Sequence, residues 1–416
     1  MSGEELERRS SASLRHSVVL LVVWAATSVL WTWLLIALLH RFPLYPHFAP
    51  LSDLGEHLRD SGILWSGKDP YVLRSTLNDT TPPFTVLVYT PLRLVHGAVL
   101  ETFVVLANVV ALSVALGAGL RTLVRRTLLE CLVLATLLLT PLTFLVLSQA
   151  AWSSLWWGQD QLIMLSLVVV DLLLVTPRWR GLLVGIAAGV LLSPAIFVVL
   201  LVRVGWPAVA RMAGAVAGTI VLGALVNLHA STVYWLHLLP SGEAVRRVFI
   251  LGGAGTGTVA TPANYSLEGM LARRPFAHHV PLTATWLALV GVLAALSILV
   301  AWRAQGRHLD LTAMTVLGLA SAALSPVGWD HHWIWGVMIP LVAVELWRTS
   351  RVVSGLWLLS IPMVFVRSMP LTKSVHWPLG LGRVVWSGGP PLAFIVLVVA
   401  SAVVLVAAPR RTTASS

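Results

Sequence analysis

Ten runs of about 14 to 23 mostly apolar residues recur along this 416-residue chain, at 17–39, 97–119, 128–147, 161–176, 209–228, 281–302, 311–326, 333–348, 354–367 and 389–408. No other feature limits the fold so strongly. A helix needs roughly 20 apolar residues to cross a bilayer, and in lipid every backbone polar group must find its partner within the protein. A chain with this pattern reads as an all-α polytopic membrane protein of about ten passes. Composition agrees: 57% of residues are hydrophobic and 11% charged. The one cysteine, Cys131, lies in an apolar run, which excludes an intrachain disulfide framework. The first apolar run is too long for a signal-peptide core and reads as an uncleaved helix. No soluble domain or internal repeat is evident, and the whole of 1–416 reads as a single domain.

Two segments depart from simple spans. Residues 83–95 hold "PFTVLVYTP", short and closed by Pro91. Residues 181–203 have the length of a span but carry Ser193-Pro194 in the middle, which predicts two half-helices folded back as a re-entrant pair. Arginine fixes the direction. With the N-terminus inside, Arg8, Arg9, Arg15, Arg121, Arg125, Arg126, Arg178, Arg180, Arg203, Arg211, Arg303, Arg307, Arg348, Arg351, Arg410 and Arg411 all fall in short inner segments. That is 16 of the 28 basic residues, and it explains the net charge of +11 without nucleic acid. The scheme holds only if 181–203 returns to the side it left. Both termini are then cytoplasmic in an inner (plasma) membrane protein. The long segments 40–83 and 229–280 then face the periplasm or exterior, with every polar cluster on that side.

The densest cluster is "SDLGEHLRDSG", residues 52–62. Asp53, Glu56, His57 and Asp60 follow i, i+3, i+4, i+7 spacing, with Leu51, Leu54 and Leu58 opposite. This is an amphipathic helix at the membrane interface. A solvated surface helix is the plain alternative, and an Asp/His metal pair another. An acidic face with an imidazole suits removal of a proton from a hydroxyl. In "SPVGWDHHWIW", 325–335, Asp330, His331 and His332 sit among Trp329, Trp333 and Trp335; this is either an aromatic belt or a phosphate- or sugar-binding site. "WWGQDQ", 156–161, has the aromatics and planar amides of a carbohydrate contact, or is an ordinary polar connection. The Gly-rich 251–262 matches no nucleotide-binding pattern and reads as a flexible lid.

Taken in order, these clusters resemble the polyprenyl-phosphate-mannose-dependent α-1,2-mannosyltransferases, glycosyltransferase family 87, of GT-C fold. The family's first outer loop, D-L-x-x-Y then L-x-G-x-D-x-Y, is matched by "DLGEH" at 53–57 and "LWSGKDPY" at 64–71. Its Y-P-P-x is matched by "TPPF" at 81–84, and G-Q-x-N by "GQDQ" at 158–161. N-Q-S-L-x-G-x-x-x-R is matched by "NYSLEGMLAR" at 264–273, and S-P-x-S-W-x-H-H-x-x-W by "SPVGWDHHWIW". His57 replaces the family's tyrosine, Gln161 its asparagine and Tyr265 its glutamine, and apolar residues replace a lysine before Pro194. The resemblance implies an inverting transfer of mannose from a polyprenyl-phosphate donor to a glycolipid or lipid-linked acceptor, with Asp53 as base. Arabinofuranosyl transfer is the alternative within the class, and a transporter or flippase the alternative outside it. Inversion through an oxocarbenium-like state needs one base and no nucleophile, and a phosphate leaving group needs no acid. Cationic donors should stabilise the departing phosphate, with His331 and His332 first and Arg273 or Arg274 second. Gln159, Asn264 and Tyr265 complete the expected donor site. Glu56, His57, Asp60, Tyr71, Trp329 and Asp330 are expected to support the acceptor. No metal or cofactor is required by this scheme.

Overall fold

The computed structural model describes residues 3–41, 50–72, 81–144, 148–242, 259–261, 263–273, 281–365 and 381–407. Among the described residues every regular element is helical. In chain order they are α1 (Gly3–Arg41), α2 (Ser52–Trp65), α3 (Pro83–Val88), α4 (Gly97–Leu123), α5 (Leu128–Leu134), α6 (Gln149–Trp157), α7 (Gln161–Leu173), α8 (Leu182–Val190) and α9 (Val198–Val204). There follow α10 (Trp206–Val226), α11 (Leu228–Thr232), α12 (Leu267–Ala272), α13 (Leu282–Gln305), α14 (Asp310–Leu324), α15 (Ile339–Leu346), α16 (Arg351–Leu359), α17 (Ile361–Phe365) and α18 (Leu381–Ala407).

Among the described residues, five helical stretches are long and apolar enough to cross a membrane: Ser13–Arg41, Gly97–Leu123, Trp206–Val226, Leu282–Gln305 and Gly388–Val406. Burial separates the centre from the rim. The most apolar window of α4 is 67% buried, against 17% for α1 and α10, so α4 is an inner post and the other two present apolar surface outward. The remaining expected spans coincide with shorter or broken helices. The run at 128–147 is α5 followed by a π-turn over Ala135–Leu139 and a last turn at Thr140–Leu142. The run at 333–348 begins inside a 3₁₀ segment, Asp330–Met338, which kinks at Trp333 before α15.

The interruption at Ser193-Pro194 is a 3₁₀ turn over Ser193–Phe197 between α8 and α9. A Cβ on Gly181 would strike Ala208, on Gly185 it would strike Met212 and Ala215, and on Gly189 it would strike Thr219. These pairs advance together, so α8 and α10 run parallel in close contact. Small residues permit such an approach where lipid offers no hydrophobic drive to pack helices. The chain between Gly181 and Ala208 therefore returns to the level it left. At that level Arg211 donates to the carbonyls of Arg180 and Pro177 at 2.9 and 2.8 Å, and Arg203 to that of Trp302 at 2.8 Å.

Two acids, the buried Asp171 and the half-buried Glu345, complete helix ends. Asp171 accepts from Gly181 and Val184, the first amides of α8. Glu345 of α15 accepts from the amides of Leu311 and Thr312 and from the Thr312 hydroxyl at the start of α14. Free amides at a helix start favour a carboxylate partner, which accounts for these acids without a catalytic role.

Candidate active site

The N-terminus of α2 is seated on the connection between α6 and α7. Leu51, itself in the left-handed region at φ 62°, donates its amide to the Trp156 carbonyl at 2.6 Å. Gly158 ends α6 at φ 73°, and a Cβ there would lie 2.8 Å from that of Leu54. Only glycine meets both demands. The contact brings Asp53 against the next residue, and Gln159 Nε2 donates to Asp53 Oδ2 at 2.6 Å. Burial pushes the Asp53 carboxyl above its ordinary range, while the nearby imidazoles of His331 and His57 and the Gln159 hydrogen bond pull it back. His57, one turn further along α2, is buried and stacks on Tyr89 with ring centres 4.6 Å apart and planes within 9°.

The 3₁₀ segment Asp330–Met338 closes the opposite side. Asp330 is held by α6: Gln149 donates to Oδ2 at 2.9 Å and Ser153 to Oδ1 at 2.7 Å. The His331 amide also donates to Asp330 Oδ1, and His331 Nδ1 lies 3.5 Å from the same oxygen. Asp330 thus lies beside the His331 ring, whose charge bears on Asp53. The His331 and His332 rings meet edge to face, 4.7 Å apart. His332 is buried to the extent that its pKa falls to about 3, so the ring is neutral. Its Nδ1 donates to the Val327 carbonyl at 3.3 Å, which leaves Nε2 with a lone pair. A ring in that state accepts hydrogen bonds and does not donate one to a phosphate oxygen. Beyond His332, at the break between α8 and α9, lies a cavity of about 140 Å³ whose polar lining is Gln161, Ser193, Ser321, Ser325 and His332. None of its lining residues carries a charge, which suits hydroxyl groups or an apolar chain rather than a phosphate.

The sequence profile of Glycosyltransferase family 87 matches residues 80–326. The chain belongs to glycosyltransferase family 87. A polyprenol-phosphate-mannose-dependent alpha-(1-2)-phosphatidylinositol pentamannoside mannosyltransferase of Mycobacterium tuberculosis is 28% identical, over 95% of this chain and 88% of its own length. A protein of the same description from Mycolicibacterium smegmatis is 29% identical over 77% and 75%. A polyprenol-phosphate-mannose-dependent alpha-(1-2)-phosphatidylinositol mannoside mannosyltransferase of M. tuberculosis is 27% identical over 77% and 75%. No solved structure matches the chain.

Not every expected site residue of this family 87 enzyme reaches the Asp53 pocket. Asn264 is fully buried, and its amide is wholly engaged by backbone. Its Nδ2 donates to Val259 and Pro326, and its Oδ1 accepts from Ser266 and Gly328. Tyr265 is buried, and its amide donates to Gly328 at 2.7 Å. These two residues tie the 264–273 loop to 325–328, immediately before the histidines. Arg273 donates to the carbonyls of Thr261 and Asn264, and burial lowers its pKa to about 10, which leaves it charged at neutral pH. Arg274 lies outside the described residues, as do 251–258 and 262 of the Gly-rich stretch. Tyr71 is buried, donating to the Thr81 carbonyl at 2.9 Å and packing on Tyr234, so it ties the end of the α2 segment to Thr81 and to Tyr234. On α2, Glu56 pairs with Arg59, and Arg59 Nε also donates to the buried Asp60 at 3.2 Å. Trp329 is partly exposed, and its carbonyl accepts from the His332 amide.

Sequence reasoning missed Gln149, Ser153, Tyr89 and Asp160. The first two gave no signal beyond a Trp-rich stretch. Asp160 did give one, an acid within the polar "GQDQ" of a chain poor in charge. It is buried, with His57, the Tyr89 hydroxyl and His331 around it, and burial pushes its carboxyl up. Among the described residues, no three His, Cys, Asp or Glu side chains converge to hold a metal ion.

Proposed function

We propose that this enzyme transfers a mannosyl unit from a polyprenyl-phosphate-mannose donor to a glycolipid acceptor on the outer face of the plasma membrane, with inversion. The relatives' described activities supply the donor and acceptor classes. One observation carries the chemistry: a partly dehydrated carboxylate, Asp53, fixed by Gln159 at 2.6 Å with two imidazoles near it. Asp53 takes the proton of the acceptor hydroxyl as the new glycosidic bond forms at the anomeric carbon and the bond to phosphate breaks. A carboxylate lifted above its ordinary range is a stronger base than a solvated one, and the imidazoles near it oppose that rise. The polyprenyl phosphate leaves with the bonding electron pair, and His331, beside Asp330, meets the charge that develops on it. The uncharged cavity beyond His332 suits a sugar ring.

The outer-face assignment rests on a ten-pass topology with α8 and α9 as a re-entrant pair and both termini cytoplasmic. The parallel register of α8 and α10 supports the return to the starting side. Clustering of Arg180, Arg203 and Arg211 at one level supports calling that side inner. A donor on a lipid carrier follows, since nucleotide sugars are cytosolic.

Asp53→Asn keeps the shape and the Gln159 contact while removing the base. In membranes or detergent given polyprenyl-phosphate-mannose and a glycolipid acceptor, transfer should fall by roughly 10² to 10⁴ with protein level unchanged. Glu56→Gln and Asp60→Asn should cost less. Near wild-type transfer by Asp53→Asn together with loss in either of the others would mean that a different carboxylate is the base.

A further inference from the structure

Asp160 occupies the residue before α7, where an aspartate ordinarily accepts from the first free amides of the helix. It does not do so here: its side chain makes no hydrogen bond to that helix end. The carboxylate is buried and turned instead toward His57 and His331, with the Tyr89 hydroxyl beside it. The same two imidazoles lie near Asp53. Two carboxylates therefore share one pair of imidazoles, and the backbone registers them, because Gln159, which holds Asp53, is the residue immediately before Asp160. Stacking on Tyr89 fixes the His57 ring in this position.

The elements around His57 carry these titratable and charged groups. On α2 they are Asp53, Glu56, Arg59 and Asp60. The segment after α3 brings Tyr89 and Arg93, the latter lying against Gly62. The start of α7 brings Asp160, and the 330–338 segment brings Asp330, His331 and His332. Glu56 and Asp60 are bonded to Arg59, and Asp330 to Gln149 and Ser153. The charges around Asp160 are the imidazoles of His57 and His331, and those around Asp53 are the same two rings together with Glu56.

A dehydrated carboxylate tends to bind a proton and a dehydrated imidazole tends to lose one; an opposite charge nearby opposes both tendencies. We propose that Asp160 is a positioning residue of the transfer reaction, whose carboxylate keeps His57 as an imidazolium and thereby keeps Asp53 ionised in its dehydrated pocket. The inference rests on Asp53 as the base. Without Asp160, His57 gives up its proton more readily and Asp53 takes one at higher pH, so the base is lost on the acid side only.

The test is the pH profile of transfer from polyprenyl-phosphate-mannose to a glycolipid acceptor, between about pH 5.5 and 9. Asp160→Asn should move the acid limb of kcat/KM upward by roughly one pH unit, a typical effect of one neighbouring charge. That is about tenfold slower transfer on the limb, recovering as pH rises, with the donor KM unchanged on the plateau. Asp160→Glu should restore most of the wild-type profile. In a His57→Gln background, Asp160→Asn should add little further shift. A wild-type profile, a loss uniform across pH, or a full shift that survives His57→Gln would each overturn the proposal. Should Asp160→Asn fail to accumulate, His57→Gln alone must move the limb upward, and an unmoved limb is again refuting. Full activity of Asp53→Asn would remove the base assignment itself; an inactive Asp53→Asn with an unmoved Asp160→Asn profile would remove only this inference.

Discussion

Gly158→Ala tests whether the seat of α2 on α6 sets the reaction geometry. The new methyl carbon would lie 2.8 Å from Leu54 Cβ, whereas apolar carbons rest at about 3.5 to 4.0 Å. If α2 yields, it must withdraw by roughly 0.8 Å. The Gln159–Asp53 bond, 2.6 Å in the native arrangement, would then lengthen to about 3.4 Å, beyond useful hydrogen-bond length. The left-handed backbone adds about 1 to 2 kcal/mol for any side chain, and the overlap a further 1 to 3 kcal/mol. Displacing a reacting group by about 1 Å costs on the order of a hundredfold in rate. The variant should therefore accumulate in membranes with a lowered unfolding temperature in detergent, and transfer mannose roughly a hundredfold more slowly. Asp53→Asn in the same background should cost much less than it does alone, because the base is already misplaced. Wild-type transfer by Gly158→Ala would refute the reasoning, since it would show that neither the 2.6 Å bond nor the seat of α2 matters to the chemistry.

Three further outcomes are expected. His331→Ala should slow transfer about a hundredfold, typical of one donor to a developing oxyanion, while His332→Ala should cost less; the reverse order in the same assay would show that the two rings divide the work differently. Asn264→Ala leaves several buried backbone groups unpartnered and should destabilise the protein by roughly 3 kcal/mol, read as a fall in thermal midpoint in detergent that His331→Ala does not share. A reporter active only outside the cytoplasm, fused after Ser416, should be silent, and strong activity would mean that a pass has been miscounted.

The parts legible in the sequence are those that local physics encodes. The charged face at 53, 56, 57 and 60 marks a helix, and α2 runs from Ser52 to Trp65. The long apolar runs became α1, α4, α10, α13 and α18, and Pro194 marked the break that separates α8 from α9. By contrast, α6 gave no sign of itself. "QAAWSSLWW" is too short to span and has no period, and its importance rests on Gln149 and Ser153 reaching Asp330 some 180 residues away. Nothing local encodes such a contact. Asn264 stood out within a motif, but whether an amide faces a ligand or a backbone depends on how two distant loops meet. Asp160 stood within the polar "GQDQ", but only its three-dimensional surroundings show that it makes no cap to the helix it precedes.

The short helix α6 receives both halves of the site. It holds α2 through Trp156 and the 330–338 segment through Gln149 and Ser153. This imposes an order on assembly during synthesis. Asp53 can meet Gln159 once α6 has emerged, but His331 is translated on the order of ten to thirty seconds later at bacterial-like elongation rates. A nascent chain thus holds its carboxylate in place well before it has an imidazole to face it from the far side. On the role proposed for His331, a lipid donor reaching the half-built pocket in that interval would meet no ring at the leaving phosphate, so activity would begin only as about the last fifth of the chain is made.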